Sequence, residues 1–272
     1  MSDRPLILIT NDDGINSPGL RAAAEALTGL GELLIIAPSI QQTGASRSYP
    51  NLAVDKSIQS TQIVLANGQQ LPAYHANVSP AQAVAMAVLN LANRRIDLCV
   101  SGINYGENVG SGVTISGTVG AAIEAVCYGI PALAASFETP HEYHLNHSDA
   151  VDFAVAAHFT RLFAAKVLSH GLPPRVDLLK IDIPAEATPQ TPWQVGRVSR
   201  QRYYESLPNH FAKPVNPNQT FSYQITVRAD SLETDSDVKI FSVDRQVAVV
   251  PMTIDLTAPV QLPDVAQFLA DN

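Results

Sequence analysis

The amino-acid sequence predicts an α/β protein with a doubly wound, mostly parallel sheet and a C-terminal extension of β-hairpins and a helix. Short, largely apolar runs at 6–9, 33–38 and 97–101 are typical of parallel strands that are buried on both faces. Segments with apolar residues at helical spacing separate these runs, as in consecutive βαβ units. After Pro184, prolines interrupt short alternating segments, which is the pattern of antiparallel hairpins.

The other predicted helices and strands fall into a core and a C-terminal extension. Pro18 opens the first helix because proline suits the first helical position. Further elements are predicted as a long helix at 79–93, a helix at 118–128, strand 131–135, helix 148–169 and strand 178–183. We expect residues 1–184 to form the core with the functional site. We expect residues 185–272 to form the extension and to mediate oligomerisation, with strands at 221–227 and 238–243 and a helix at 263–270.

The composition restricts the class of partner. The chain has 272 residues, of which 46% are hydrophobic and 15% charged, so a large core can form. Its formal net charge of −8, without a basic stripe, argues against a nucleic-acid polymer as partner. Binding a small anionic substrate would therefore require positive charge from another source, such as a bound cation. Neither a secretory leader nor a membrane-spanning run is evident, and a cytoplasmic location is expected.

The two cysteines, Cys99 and Cys127, lie in apolar stretches and are predicted to be buried thiols. The three histidines His141, His144 and His147 lie in a loop that contains a proline, and they are predicted to be surface residues. Trp193, Tyr203 and Tyr204 suggest either stacking on a base or packing in a hairpin or subunit interface, and packing is favoured.

Asn11-Asp12-Asp13-Gly14 directly follows the first strand. In an open α/β sheet, ligands bind outside the carboxyl ends of the strands. Two adjacent carboxylates repel each other there, and a hard divalent cation with oxygen ligands relieves the repulsion. A solvated turn is the alternative, because Asn, Asp and Gly are common turn residues.

Two more polar segments follow strands of the same sheet. The loop 42–48 offers hydroxyl groups and a glycine, although an ordinary polar loop remains the alternative. Residues 101–110 are rich in glycine, and Ser116-Gly117-Thr118 opens a helix whose first N–H groups favour an anion. Simple N-capping by Ser116 or Thr118 is the alternative here. Because all three polar segments are predicted at the same edge of one sheet, together they favour a site for a cation and a phosphate group.

These residues resemble the survival protein E (SurE) family of stationary-phase nucleotidases. The motifs that carry the resemblance are Asn11-Asp12-Asp13-Gly14, Pro18-Gly19, Gly44-Ala45-Ser46 with Ser48, Ser101-Gly102-Ile103-Asn104 with Gly106, Asn108 and Gly110, and Ser116-Gly117-Thr118-Val119. The resemblance spans nearly the whole chain and is densest up to about residue 135.

The resemblance implies a Rossmann-like core whose C-terminal extension exchanges elements between subunits of a homodimer or homotetramer. It also implies hydrolysis of nucleoside 5′-monophosphates, and often 3′-monophosphates, with one divalent ion per subunit, Mg²⁺ or Mn²⁺; short polyphosphate is a further substrate to test. The implied metal ligands are Asp12, Asp13, Thr43 and Asn104. Asn11, with the two acids, is the implied catalytic group, and the implied substrate-binding residues are Gly44, Asn108, Ser116, Gly117 and Thr118.

The sequence departs from the family pattern at several positions and leaves alternatives open. Thr43 stands where serine is usual, Val78 and Gln82 replace a glycine and a carboxylate, and Ile115 replaces a tyrosine. One competing function is a nucleotide-binding stress regulator without catalysis, and another is an enzyme that uses the acids to hold the metal of a nucleotide sugar. For hydrolysis, attack by water and an aspartyl-phosphate intermediate both remain open.

Overall fold

The computed structural model describes residues 4–51, 54–144, 148–207 and 222–270. Its strands are β1 (Leu6–Thr10), β2 (Glu32–Pro38), β3 (Gln59–Val64), β4 (Gln70–Ala76), β5 (Leu98–Tyr105), β6 (Ala132–Phe137), β7 (Leu178–Ile183), β8 (Trp193–Val195), β9 (Tyr204–Leu207), β10 (Ser222–Ile225) and β11 (Val247–Met252). Its α-helices are α1 (Pro18–Leu27), α2 (Pro80–Met86), α3 (Gly117–Cys127), α4 (Ala154–His170) and α5 (Leu262–Ala270).

Nine strands form one mostly parallel sheet in the order β3-β4-β2-β1-β5-β6-β7-β11-β8, and β9 pairs with β10 in a separate antiparallel sheet. Within the large sheet only the β3–β4 and β7–β11 pairs are antiparallel. From β1 the chain first moves to β2 on one side and later to β5 on the other. The predicted doubly wound fold is confirmed, and β1 and β5 flank its topological switch point.

Helices cover both faces of the sheet, which explains the continuous apolar run of β1. Ile7 and Ile9 belong to the same core cluster as Leu20 of α1, whereas Leu8 packs in the second cluster with Ala121 of α3. Successive strand residues point to opposite faces, so a strand covered on both sides needs apolar residues at every position. Burial of both faces holds the end of β1, where the acidic residues begin, at the centre of the molecule.

Strands from the C-terminal part extend the large sheet, and one strand prediction there was wrong. β11 joins the edge of β7 and β8 joins β11, while the predicted division of the chain at residue 184 stays a prediction. The segment predicted as a strand at 238–243 is a helical turn, Lys239–Val243. Ser236 accepts a hydrogen bond from the N–H of Lys239 (3.3 Å), which is local capping that starts a helix. Phe221 lies outside the described residues.

Two further predictions need correction. Cys99 is buried as expected, but Cys127 is exposed because the last turn of α3 extends past the edge of the core. The predicted long helix at 79–93 is shorter, and its second half is a π-helical turn, Ala87–Leu91. Within the described ranges, no helix has the length and apolarity needed to cross a bilayer.

A buried ionic cluster joins the core to the C-terminal part. Lys180 of β7 forms ion pairs with Asp182 and with Asp237 (3.0 Å to Asp237 Oδ2), and none of the three side chains is exposed. Burial opposes the charged ammonium group, but the two carboxylates outweigh burial and raise the pKa of Lys180. The carboxylates also accept the backbone N–H groups of Asn108 (2.7 Å) and Gly110 (3.2 Å). The cluster therefore fixes the loop that carries Asn108.

Replacing Lys180 should strongly destabilise the fold. Lys180→Met leaves two buried carboxyl groups without their cation, and we expect the free energy of unfolding at neutral pH to fall by about 3–5 kcal/mol. Urea denaturation followed by circular dichroism measures the change.

The matched control is Lys239→Met, which removes the partly exposed ion pair with Asp244 (2.6 Å). Such a pair contributes less than about 1 kcal/mol. Equal losses for the two variants would show that the Lys180 cluster does not stabilise the fold as a buried ionic group.

Candidate metal and phosphate site

The loops after β1, β2 and β5 and the first turn of α3 converge at the carboxyl ends of the strands, beside the switch point. They surround a cavity of about 200 Å³. The cavity wall includes six of the residues selected from the sequence: Asp12, Thr43, Gly44, Asn104, Asn108 and Ser116. The three polar segments, which are far apart in the sequence, thus contribute to a single cavity.

Asp12 is the member of the acidic pair that faces the cavity, although only 5% of its surface is exposed. The hydroxyl group of Thr118 donates to Asp12 Oδ1 (2.5 Å). Burial raises the pKa of Asp12 to about 6, while hydrogen bonds from Thr118 and from the N–H group of Gly117 act in the opposite direction. Gly117 and Thr118, selected as phosphate-binding residues, therefore contact Asp12 in this structure.

Asp13 is 1% exposed, lies next to Asp12 and is not one of the residues that line the cavity. The backbone N–H of Tyr105 donates to its Oδ2 (3.1 Å), and the Gln41 side chain donates to its Oδ1 (3.2 Å). Burial, together with the neighbouring charge of Asp12, raises the pKa of Asp13 well above its ordinary value. Among the ion pairs of the described ranges none includes either acid. The pair thus lacks a compensating protein cation in the part of the chain that the structure describes.

Uncharged side chains with oxygen atoms that could bind a metal complete this end of the cavity. The Asn104 amide group donates to the backbone oxygens of Tyr105 (3.0 Å) and Gly106 (2.7 Å), which leaves its Oδ1 as the acceptor. Thr43 adds a hydroxyl group to the wall. Two carboxylates, an amide oxygen and a hydroxyl form a hard oxygen set that suits Mg²⁺ or Mn²⁺. No group of three or more His, Cys, Asp or Glu side chains placed to hold a metal occurs among the described residues.

The loop that carries Thr43 and Gly44 is fastened at both ends. The N–H of Gln42 donates to the backbone oxygen of Asp12 (2.7 Å). Farther along, the Ser46 hydroxyl donates to the backbone oxygen of Thr114 (2.8 Å), and Arg47 forms an ion pair with Glu124 of α3 (2.5 Å). These contacts hold the loop between the acidic turn and the start of α3.

Three residues predicted to surround a phosphate group have distinct local roles. Ser116 caps α3 by accepting the N–H of Val119 (3.1 Å), so both the capping interpretation and a place in the cavity wall are correct for it. Asn108 donates from its amide to Ser136 Oγ (2.8 Å). The Asn11 side chain closes its own turn through two bonds to Gly14 (3.0 and 3.2 Å), and its catalytic role stays a prediction.

The departures from the family pattern fall in different places. Gln82 exchanges hydrogen bonds with Ser79 (3.2 Å each) in a capping box at the start of α2, a role that glutamine fills well. Ile115 lines the cavity with 61% of its surface exposed, so this substitution changes the wall directly.

Among the wall residues that sequence reasoning did not select are Glu107, His144, Tyr204 and Tyr223. His144 was predicted to be a surface residue and is instead buried, because Gly106 leaves room for its ring; a Cβ atom there would lie 2.8 Å from His144 Nε2. Tyr203 packs against Phe241 as expected, but its neighbour Tyr204 lines the cavity. Of the four wall residues named above, Tyr204 is the only one for which the sequence suggests stacking on a base, through the adjacent pair Tyr203-Tyr204. His147 lies outside the described residues.

Fold and site together define an α/β protein with two buried acids at the switch point of a parallel sheet. The sequence matches the family model "Survival protein SurE" over residues 7–205. A protein of Thermococcus gammatolerans named 5′-nucleotidase SurE is 37% identical over 264 residues, which cover 97% of this chain and 95% of the relative. A protein of Methanocella arvoryzae with the same name is 39% identical over 275 residues, covering 98% of each chain. The chain therefore belongs to the survival protein SurE family.

A solved structure agrees with this assignment. The crystal structure of the Sure protein from Aquifex aeolicus aligns with a TM-score of 0.74 at 26% sequence identity and covers 98% of this chain and 100% of that one. The similarity extends over both the parallel sheet and the C-terminal part, and it supports the fold described above.

Adding one methyl group at Gly117 should disturb the acidic pair. A Cβ atom at this position would lie 2.7 Å from both Cβ and Oδ2 of Asp12, so the carboxyl group has to move. We expect Gly117→Ala to weaken Mn²⁺ binding about tenfold or more, the range typical of residues that orient metal ligands. Isothermal titration calorimetry measures the affinity.

Gly112→Ala is the matched control, since the nearest atom to an added Cβ is Tyr204 Cδ2 at 3.9 Å. Its Mn²⁺ affinity should stay within about twofold of the unsubstituted protein. Unchanged affinity in Gly117→Ala would contradict the assignment of Asp12 as a ligand.

Proposed function

We propose that this protein is a divalent-metal-dependent phosphomonoesterase that hydrolyses nucleoside 5′-monophosphates to a nucleoside and phosphate. The relatives from Thermococcus gammatolerans and Methanocella arvoryzae, which match nearly the whole chain, carry the name 5′-nucleotidase SurE and support this activity. Nucleoside 3′-monophosphates and short polyphosphate belong in the same test panel. The protein's acidic composition favours a small substrate over a nucleic-acid polymer.

The observation that carries the proposal is the pair of buried carboxyl groups for which the described part of the chain supplies no cation. Asp12 and Asp13 lie side by side at the switch point, and uncompensated burial of two charges is unfavourable. A divalent ion in contact with them removes that penalty and attracts a phosphate ester into the same cavity. We assign Asp12, Asp13, Thr43 and Asn104 as the residues that hold the ion.

The chain's own groups suit in-line hydrolysis. A bound Mg²⁺ or Mn²⁺ supplies positive charge that offsets the charge of the phosphate ester. Asn108 and Ser116, on the wall of the cavity, contact the phosphate oxygens. Asp12 orients a water molecule, since it is the acid that faces the cavity. Asp13 is a poor nucleophile because it does not line the cavity and both of its carboxyl oxygens accept hydrogen bonds. These contacts argue against an aspartyl-phosphate at Asp13, and we favour attack by water.

Asp13→Asn tests the proposal. The variant keeps the size of the side chain but removes one of the two charges that hold the ion, so phosphate release from AMP with Mg²⁺ or Mn²⁺ should fall by at least about 100-fold. A chelator should abolish the activity of the unsubstituted protein, and added metal should restore it. Phosphate release is measured colorimetrically, and circular dichroism checks the fold.

The control for this substitution is Asp149→Asn, an exposed acid outside the cavity, whose activity should stay within about twofold. Two results would contradict the proposal. Hydrolysis that survives chelation or the Asp13 substitution would exclude the assigned metal role, and AMP binding without turnover would indicate the regulator instead.

We also propose a cytoplasmic protein that acts as a homodimer or homotetramer. Every described residue of α5 is exposed, including the apolar residues Leu262, Phe268 and Leu269. An amphipathic helix that no described part of its own subunit covers favours burial against a second copy. Multi-angle light scattering should give at least twice the 29.1 kDa chain mass. A monomer at micromolar concentration would contradict this assignment.

A further inference from the structure

One wall of the cavity combines a buried carboxyl group with two aromatic rings, and we call Glu107, Tyr204 and Tyr223 the acidic–aromatic wall. All three line the cavity that also contains Asp12 and Asn104. The Tyr204 hydroxyl donates to Glu107 Oε1 (2.6 Å). The Tyr204 and Tyr223 rings meet edge to face, with centroids 5.3 Å apart. The Tyr204 hydrogen bond thus fixes the orientation of the carboxyl group within the wall.

The second oxygen of this carboxyl group has no partner within the described part of the chain. Glu107 is 3% exposed, and its Oε2 has no well-formed hydrogen bond. Burial raises the pKa of Glu107 to about 7, an effect that the nearby Tyr204 and Tyr203 hydroxyl groups only partly offset. A buried acceptor that stays unsatisfied is unfavourable by about 1–3 kcal/mol, and such groups are uncommon in folded proteins. Since Glu107 lines the cavity, a molecule bound there is the natural source of the missing donor.

The chemistry of the wall restricts what that molecule presents. No described lysine or arginine forms an ion pair with Glu107. In its ionised form Glu107 repels a phosphate group, so the phosphate belongs at the Asp12 end, where a cation can be held. A group that contacts Glu107 instead needs an N–H or O–H donor. The two tyrosines beside it offer apolar and aromatic surface of the kind on which nucleobases pack.

We propose that Glu107 is a specificity-determining residue that accepts a hydrogen bond from an N–H or O–H group on the nucleoside part of the substrate. The proposal rests on the proposed function, because it takes the phosphate of the same substrate to lie at the Asp12 end of the cavity. Two donors on a nucleotide share this chemistry, an amino group of the base and a hydroxyl group of the ribose. Tyr204 is a positioning residue that acts through Glu107.

The test measures how strongly the enzyme prefers a nucleotide over a phosphate ester without a nucleoside. The quantity is the ratio of kcat/KM for AMP to that for p-nitrophenyl phosphate. In Glu107→Gln an amide takes the place of the carboxylate, and the ratio should fall about tenfold or more, mainly through the KM for AMP. Tyr204→Phe should lower the same ratio by a smaller factor, and it keeps the test available if the first variant does not fold. Glu25→Gln, an exposed carboxylate on α1, is the matched control.

Two further substrates identify the donor. If the base supplies it, the preference of the unsubstituted protein for AMP over IMP should shrink in Glu107→Gln; if the ribose supplies it, the preference for AMP over 2′-deoxy-AMP should shrink. Ratios within twofold of the unsubstituted protein for all substrates would overturn the proposal while leaving phosphatase activity intact. If the unsubstituted protein releases no phosphate, the proposed function fails. Glu107 is then tested by calorimetry, through the ratio of the affinity for AMP to the affinity for inorganic phosphate in the unsubstituted protein and in Glu107→Gln.

Discussion

The site depends on the burial of two adjacent carboxyl groups at the end of the central strand. β1 is covered on both faces, so the residues that follow it, Asp12 and Asp13, are carried into the middle of the molecule. The two side chains have different surroundings: Asp12 lines the cavity, and Asp13 accepts hydrogen bonds from Tyr105 and Gln41. Burial acts on both carboxyl groups, and the charge of Asp12 adds to its effect on Asp13. The proposed cation would offset both effects.

The groups around the two acids are supported from distant parts of the chain. Thr118 and the side-chain-free Gly117 bring the first turn of α3 against Asp12. Lys180 and its two carboxylate partners hold the loop that carries Glu107 and Asn108, even though one of these partners belongs to the C-terminal part. Contacts of this kind hold the oxygen-bearing side chains in position and limit the reorganisation needed when a ligand binds.

Much of the fold was predictable because its signals are local. Continuous apolar runs identified β1, β2 and β5, and the position of the polar segments after them identified one edge of the sheet. The strand predicted at 238–243 was wrong because its alternating pattern competes with capping by Ser236. His144 was misjudged for a different reason: its burial depends on Gly106, which is far along the chain, and no local pattern records that contact.

The sequence by itself determined the class of fold, the acidic pair and the oxygen-rich segments, because buried strands and turns depend mainly on residues that are adjacent in the sequence. Only the tertiary structure decided which acid faces the cavity, which first-turn groups of α3 are taken by Asp12, and that Glu107 shares a wall with Tyr204 and Tyr223. The Asp12–Thr118 and Glu107–Tyr204 contacts join residues that are 106 and 97 positions apart. Such contacts depend on how the strands are ordered in the sheet, and the spacing of residues along the chain does not specify them.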